Sequence, residues 1–263
     1  MLDYRKMDKL SRKTSKNIEI LYEDPDIVAV NKPAGLVVHS DGRTEERALT
    51  DWVIEQYPKT KNVGEALTDK DGNAIARPGI VHRLDRGTSG VILIAKTKKG
   101  HAHLKEQFQN RTLAKKYIAF VHGDMKETYG IINRPIGKSP SDFRRFSATR
   151  GAKGEMREAE TWWTMFVFKS GFSLVEAEPK TGRTHQIRVH FKAINHPIVS
   201  DSLYGAGKPQ ALGFERTALH AASITFTNCK GKEITVKAPL PKDFLDAFHE
   251  LHITDIAKKK GLC

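Results

Sequence analysis

The chain has 263 residues, 39% of them hydrophobic and 29% charged, which is enough for one large or two small globular domains with real cores. Its 44 Lys and Arg residues outnumber 31 Asp and Glu residues and give a formal net charge of +13, which favours a polyanionic partner such as nucleic acid. Charge alone does not separate nucleic acid from an anionic membrane surface. No apolar run approaches the ~20 residues of a membrane-spanning helix, and the first residues lack the apolar core of a secretion signal. Composition therefore predicts a soluble, cytoplasmic protein.

The two cysteines lie in unrelated contexts, Cys229 in a predicted hairpin turn and Cys263 at the end of the chain. Neither has a Cys-x-x-Cys or Cys/His spacing nearby, so the sequence predicts no disulfide framework and no zinc site. Residues 1–17 are polar and rich in Lys and Arg, without a period that would bury a face. They are interpreted as a loose basic arm, either a solvated tail or a phosphate contact.

Strand-like patterns dominate the first half of the chain. The apolar alternation or β-branched runs predict strands within IEILYED, DIVAVNKPAG, GLVVHS, VILIA and KKYIAFVHG. Two segments instead show apolar spacings of three and four, which predicts helices in ALTDWVIEQYP and GHAHLKEQFQNR. On the last strand, Tyr117, Ala119 and Val121 are expected on one face.

The second half continues in the same way. Strands are predicted in AETWWTMFVF, FSLVEAEP, HAASITFTN and EITVKAP, and helices in HQIRVHFKAI and PKDFLDAFHEL. Many strands with few helices and no regular strand-helix-strand order predict an α+β fold around a large, mostly antiparallel sheet. The expected organisation is a basic arm over 1–17, one domain over 18–250 and a basic tail over 251–263.

One candidate site is the stretch VHRLDRGTSG, which precedes the apolar run VILIA. Its Gly, Thr and Ser residues favour a tight turn on the edge of a buried strand, so the carboxylate of Asp85 is held in place. His82, Arg83 and Arg86 surround it with positive charge and hydrogen-bond donors, which favours the ionised form. The alternative is an Asp that only binds backbone amides of the loop. A protein-kinase catalytic loop does not fit, because Leu84 separates the Asp from His-Arg and no Gly-rich phosphate loop lies upstream.

A second candidate is EPKTGRTHQIRVH, in which basic residues cluster around a Thr-Gly turn. Thr184 is a candidate N-cap of the following helix, and Arg188 would lie one turn inside it, where a rigid guanidinium suits a carboxylate or phosphate. A general phosphate-binding patch is the alternative interpretation. His185 and His190 are not spaced to share one helical face, so no metal site is predicted.

These segments together resemble the RluA family of RNA pseudouridine synthases. The family's His-Arg-Leu-Asp motif, followed after two variable residues by Thr-Ser-Gly, is present from His82 to Gly90, and KKYIAFVHG and TGRTHQIRVHF resemble its later motifs. Similarity extends through LYEDPDIVAVNKPAGLVVH, HPIVSDSLYG and LHAASITF, so it covers most of residues 18–248. The resemblance implies a mixed, largely antiparallel sheet crossed by an active-site cleft.

The resemblance also implies roles for individual residues. Asp85 matches the catalytic aspartate, Tyr117 the tyrosine that packs against the target base, and Arg188 the basic residue that pairs with the aspartate. Arg83 matches the arginine that, in one branch of the family, fills the space left by the flipped nucleotide. Further RNA contacts are expected from nearby basic side chains, namely His82, Arg86, Lys180, Arg183 and His185.

The implied reaction detaches uracil from ribose at nitrogen 1, rotates the base and rejoins it through carbon 5. It conserves every atom and is redox-neutral, so no cofactor and no metal are expected. The expected partner is RNA, with ribosomal RNA favoured and transfer RNA as the alternative, and the protein is expected to be a monomer. Two other functions remain as alternatives: a non-catalytic RNA-binding protein, for which Asp85 would be dispensable, and a nuclease, which would ordinarily use a metal.

Overall fold

A computed structural model describes residues 18–40, 46–68, 72, 74–142, 144–148, 152–205 and 207–262. The predicted basic arm and Cys263 lie outside the described residues. The described residues divide into two compact units, the first made of those up to residue 113 and 223–238, and the second of those within 114–222 and 239–262. No helix in the described part of the chain is long and apolar enough to span a membrane.

The first unit is built on antiparallel strand pairs. Its elements are β1 (Glu19–Glu23), β2 (Ile27–Lys32), α1 (Leu49–Gln56), a 3-10 turn (Pro58–Asn62), β3 (Leu67–Thr68), β4 (Ala74–Ile75), β5 (Ser89–Ala95), α2 (Lys98–Asn110) and β14 (Glu233–Lys237). Strand β2 pairs with β1 on one side and with β5 on the other, the latter from Ile27 opposite Ala95 to Lys32 opposite Gly90. All seven residues of β5 are buried, as expected for an apolar run covered on both faces.

Helix α2 is held to this unit at both ends. At its start, the hydroxyl of Thr97 accepts a hydrogen bond from the amide of Gly100 and donates one to Asp26, which satisfies a free amide of the first turn. Near its end, the side chain of Gln107 both accepts from the amide of Thr227 and donates to its carbonyl, each at 2.8 Å. The predicted helix is therefore confirmed and docked on the strand that carries Thr227.

The second unit contains the longer strands. Its elements are β6 (Ala114–His122), β7 (Tyr129–Asn133), β8 (Ile136–Lys138), β9 (Phe146–Ser147), β10 (Lys153–Arg157), β11 (Glu160–Lys169), β12 (Phe172–Pro179), α3 (Gln186–Ala193), α4 (Lys242–Glu250) and α5 (Thr254–Lys259). Strands β6, β12, β11 and β7 lie side by side in that order, and each pair is antiparallel. Strand β13 (Leu219–Thr227) belongs to this unit up to Ala222 and to the first unit from Ser223 onward.

The predicted α+β fold with a mixed, mostly antiparallel sheet is confirmed. Every strand pairing given above is antiparallel, and a parallel bridge joins Val37 to Ala48. The strand predicted in GLVVHS is wrong, because that bridge is the only sheet contact of the described residues 36–40 and the segment is otherwise turn and bend. Cys229 is a free thiol in the turn between β13 and β14.

The end of the chain is more ordered than a basic tail would be. Residues 251–262 include helix α5, and Leu251, Ile253 and Ala257 are all buried, at 5% exposed or less. They join a core that contains Phe120 of β6 and Phe244 of α4, whose rings stack with centroids 5.9 Å apart. Apolar side chains recurring among the terminal lysines make this packing possible.

Candidate active site

Asp85 lies in a tight turn that leads directly into β5. The amide of Thr88 donates to the carbonyl of Asp85 at 3.0 Å, and the amide of Gly35 donates to the carbonyl of Arg86 at 2.8 Å. Leu84 is buried, 4% exposed, while Asp85 itself is half-buried. The backbone on both sides of Asp85 is therefore fixed, and its carboxylate starts from a defined position.

Lys32, which was not predicted as a site residue, connects the turn after β2 with the loop that contains Arg86. Its side chain is completely buried, and its ammonium donates to the carbonyls of Pro33 and Leu36 at 2.8 Å each and to that of Arg86 at 3.4 Å. An ammonium carries three donors and is costly to bury without acceptors. Lys32 therefore holds the turn after β2 against the loop that carries Asp85. The sequence signal was a lysine between Asn31, which ends the apolar run, and Pro33.

His82 makes contacts within its own unit. Its Nε2 accepts a hydrogen bond from the amide of Leu93 at 2.9 Å, so the neutral ring carries its proton on Nδ1. The ring stacks on Phe108 of α2, with centroids 4.6 Å apart. These contacts give His82 a structural role beside β5, and its contact with RNA stays a prediction.

The two arginines next to Asp85 differ in their contacts. Arg86 forms a two-pronged ion pair with Glu46, in which Nη2 is 2.7 Å from Oε2. Arg83 is exposed, and its hydrogen-bond partner among the described residues is Nε2 of His39 at 3.4 Å. Arg83 is the more available of the two for a ligand, because the guanidinium of Arg86 is already matched to a carboxylate.

Tyr117 is half-buried on β6 and packs against the core of the second unit. In the antiparallel register it lies opposite Ala177 of β12. A small partner leaves the flat side of the ring without a bulky cross-strand neighbour at that position. The predicted strand is confirmed, while the role of Tyr117 in packing against a base stays a prediction.

Arg188 is buried, 6% exposed, and pairs with Asp201. Its Nε lies 2.7 Å from Oδ2 of Asp201 and its Nη2 lies 2.8 Å from Oδ1. The Asp201 carboxylate is fully buried and also accepts from the amides of Leu203 and Tyr204 at 3.0 Å each, and the guanidinium lies over the Tyr204 ring. Asp201 was not predicted from the sequence, and the pairing of Arg188 with Asp85 stays a prediction from the family motif.

The start of α3 differs from the prediction. Thr184 is not the N-cap: the helix begins at Gln186, and His185 before it adopts a left-handed conformation with φ 56° and caps no amide with its side chain. The buried side chain of Gln186 organises the turn instead. Its oxygen accepts from the amide of Arg183 and the hydroxyl of Thr181, at 3.0 and 2.6 Å, so it ties together the residues that lead into the helix.

The other basic residues of this segment have partners within the second unit. Lys180 forms an ion pair with Glu178 at 3.0 Å and lies over the ring of Trp162, 4.2 Å from its centroid. The Nε of Arg183 donates to the carbonyl of Glu158 at 2.9 Å, and Nδ1 of His185 lies 2.9 Å from the hydroxyl of Tyr204. The RNA contacts expected of Lys180, Arg183 and His185 stay predictions.

His190 is completely buried and acts as a structural link. Its ring nitrogens lie 2.9 Å from the hydroxyl of Thr161 and 2.9 Å from the carbonyl of Arg134, and burial lowers its pKa. Within the described residues, no group of three or more His, Cys, Asp or Glu side chains is placed to hold a metal ion.

The sequence matches the family model described as RNA pseudouridylate synthase over residues 26–193. Over 237 residues it is 37% identical to YlyB of Bacillus subtilis, an uncharacterised RNA pseudouridine synthase, in an alignment that covers 89% of this chain and 73% of the relative. Over 246 residues it is 34% identical to the ribosomal large subunit pseudouridine synthase D of Zymomonas mobilis, covering 90% of this chain and 74% of the relative.

The solved structures show the same fold. Human RNA Pseudouridylate Synthase Domain Containing 4 is 26% identical, with a TM-score of 0.70 over 95% of this chain and 98% of that one. Human RNA Pseudouridylate Synthase Domain Containing 1 matches with a TM-score of 0.68 over 86% of this chain and 85% of that one, at 24% identity. The matched region of the family includes Asp85, Tyr117 and Arg188.

Proposed function

Because the chain belongs to the RNA pseudouridylate synthase family and is therefore an isomerase that acts on RNA, we propose that it converts uridines of large-subunit ribosomal RNA to pseudouridine. The choice of ribosomal RNA is supported by the likeness to the large-subunit synthase D of Zymomonas mobilis. The proposed catalytic domain spans residues 18–250. A monomeric state and a cytoplasmic location stay predictions from the sequence.

The observation that carries the proposal is the construction of the Asp85 loop. A half-buried carboxylate lies between two arginines, and the backbone next to it is held by the buried ammonium of Lys32 and by the amide of Gly35. A loop that only needed an Asp to bind its own amides would not require a buried lysine, which is costly to desolvate. These contacts support the proposal that the loop presents the Asp85 carboxylate in a fixed position.

The proposed chemistry starts with the extrusion of the target nucleotide. Removing a stacked base from RNA costs on the order of a few kcal/mol, and Arg83, which is exposed beside Asp85, offsets part of this by occupying the vacated space. Tyr117 supplies a flat apolar surface for the uracil ring. Arg188 is proposed to keep Asp85 ionised, as the family motif implies.

Asp85 then acts as a carboxylate, either by attacking the sugar or the base or by removing a ribose proton. In each case the bond between ribose carbon 1 and uracil nitrogen 1 breaks, the base rotates, and a bond from the ribose to carbon 5 forms. The proton released from carbon 5 ends on nitrogen 1, so atoms and electrons balance without a redox partner.

The test is pseudouridine mapping on defined RNAs. Purified protein is incubated with unmodified transcripts of large-subunit ribosomal RNA and, separately, of transfer RNA, and pseudouridines are located by carbodiimide primer extension. We expect modification of ribosomal RNA by the wild type and none by Asp85→Asn. Asp246→Asn is a matched control, because Asp246 is exposed and pairs only with Lys242 among the described residues.

The outcomes separate the alternatives. Modification of transfer RNA alone would replace the proposed substrate, and undiminished activity of Asp85→Asn would remove Asp85 from the mechanism. RNA binding without any modification would favour a non-catalytic RNA-binding protein. Cleavage of the RNA that is lost on adding a chelator would favour a nuclease.

A further inference from the structure

Lys115 lies on β6 two residues before Tyr117, so the two side chains share one face of the strand. Residues spaced by two along a strand are about 7 Å apart. Both are half-buried, whereas Lys116 between them is exposed on the opposite face. Lys115 therefore lies beside the residue that the proposed function assigns to the target base.

The ammonium of Lys115 is poorly matched within the protein. Among the described residues its hydrogen-bond acceptor is the carbonyl of Thr181, at the long distance of 3.4 Å, and no described carboxylate forms an ion pair with it. An ammonium has three donors. Two of them are consequently left for a ligand or for solvent.

The neighbouring charge that acts on Lys115 is that of Lys180, which itself pairs with Glu178. Removal from water, and secondarily the charge of Lys180, lower the pKa of Lys115 to about 8. Lys116 is the opposite case: it pairs with Glu176 at 2.8 Å and Glu178 at 3.5 Å, and the hydrogen bond with Glu176 is the main reason that its pKa is raised. The charge of Lys116 is thus paired with two carboxylates of the protein, whereas the charge of Lys115 is paired with no described carboxylate.

A half-buried cation without a counterion costs stability unless a ligand supplies the missing charge. We propose that Lys115 binds a backbone phosphate of the RNA, next to the nucleotide whose base packs on Tyr117. This inference rests on the proposed function for the position of the base, but the phosphate contact itself requires only that RNA binds. The phosphate would accept from the two donors that Thr181 does not use.

The test measures the salt dependence of RNA binding. The probe is a short fluorescein-labelled single-stranded RNA with one central uridine, and binding is measured by anisotropy over a range of salt concentrations in the Asp85→Asn background, so that the RNA stays unmodified. Each phosphate contact contributes about 0.7 to the slope of log K against log salt for single strands. We expect Lys115→Met to reduce the slope by about that amount.

Lys116→Met is the matched control, because it removes the same charge from the neighbouring residue but leaves Lys115 in place. We expect its slope to equal that of the background protein. An unchanged slope in Lys115→Met, or an equal reduction in both variants, would overturn the proposal. Thermal melting of each variant excludes unfolding as the cause, since replacing an uncompensated buried charge by Met is not expected to lower stability.

Failure of this inference is distinguishable from failure of the proposed function. If the wild type makes pseudouridine and the Lys115→Met slope is unchanged, only the phosphate contact is wrong. If the probe binds and the Lys115→Met slope falls while no pseudouridine forms, only the catalytic proposal is wrong. Absence of any RNA binding would overturn both.

Discussion

The guanidinium of Arg188 and the carboxylate of Asp201 form a buried, two-pronged ion pair, with distances of 2.7 and 2.8 Å. The same carboxylate accepts from two amides of the following turn. Every oxygen of Asp201 is therefore used to hold Arg188 and the chain after it in one arrangement. Arg188, which the family motif assigns to catalysis, is positioned by Asp201, a residue of the HPIVSDSLYG segment that was given no role from the sequence.

Asp201→Ala is expected to destabilise the protein strongly. Removing the Asp201 carboxylate breaks a buried ion pair, which typically costs about 3–5 kcal/mol, and leaves the amides of Leu203 and Tyr204 without their acceptor. The free energy of unfolding, measured by urea denaturation, checks this. Asp246→Ala removes an exposed carboxylate paired with Lys242 and is expected to change stability by less than about 1 kcal/mol. Equal losses of unfolding free energy in the two variants would show that the buried pair of Asp201 with Arg188 stabilises the protein no more than an exposed pair does.

Lys32→Met is expected to lower kcat more than it raises KM. The substitution leaves the carbonyls of Pro33 and Leu36 without their donor, at a cost of about 1–3 kcal/mol, and it frees the loop that carries Asp85. Steady-state kinetics of RNA modification, together with thermal melting, check both effects. Lys105→Met is the control, because Lys105 pairs only with the exposed Glu65 among the described residues. Reduced stability with an unchanged kcat would make Lys32 a purely structural residue.

Arg83→Ala is expected to slow modification of structured RNA more than that of an unstructured strand. The reason is that an arginine which replaces the extruded base matters most where unstacking is costly. Rates are compared on a stem-loop and on a linear RNA of the same sequence context. Arg157→Ala serves as the control, since Arg157 is an exposed arginine that pairs with Glu155. Equal rate losses on both RNAs would contradict the assigned role of Arg83.

Lys115→Met is expected to stabilise the free protein near pH 7, and the gain is expected to disappear as the pH rises. The pKa of Lys115 falls from 10.5 to about 8 on folding, so the charge opposes folding fully below pH 8. Between about 8 and 10.5 the unfolded chain binds the proton and the folded protein does not, so wild-type stability rises with pH relative to the variant. The expected gain at pH 7 is on the order of 3 kcal/mol. Urea denaturation at pH 7 and near pH 10 checks the trend, and a gain that is equal at both would contradict it.

Much of the fold was accessible from local patterns. The β-branched run of β5 and the helical spacing of α2 depend on neighbouring residues only, so periodicity identified both. The strand expected in GLVVHS failed because its apolar residues pack individually in a turn rather than along a sheet edge. The helix at residues 254–259 was missed because the segment is rich in lysine and has too few apolar residues to show a helical period, although those few pack on the core.

Local patterns were enough to identify the chemical groups and the elements that carry them: a carboxylate in a tight turn before a buried strand, a tyrosine on a second strand and an arginine on a short helix. The partners of those groups depend on how the chain folds as a whole. Lys32 reaches Arg86 across 54 positions of the chain, and Arg188 finds Asp201 13 positions away. The physical reason is that hydrogen bonds and charge compensation depend on distance in space, whereas a sequence pattern records only periodicity along the chain. The same reason separates Lys115 from Lys116, since one side chain meets two carboxylates and the other meets none among the described residues.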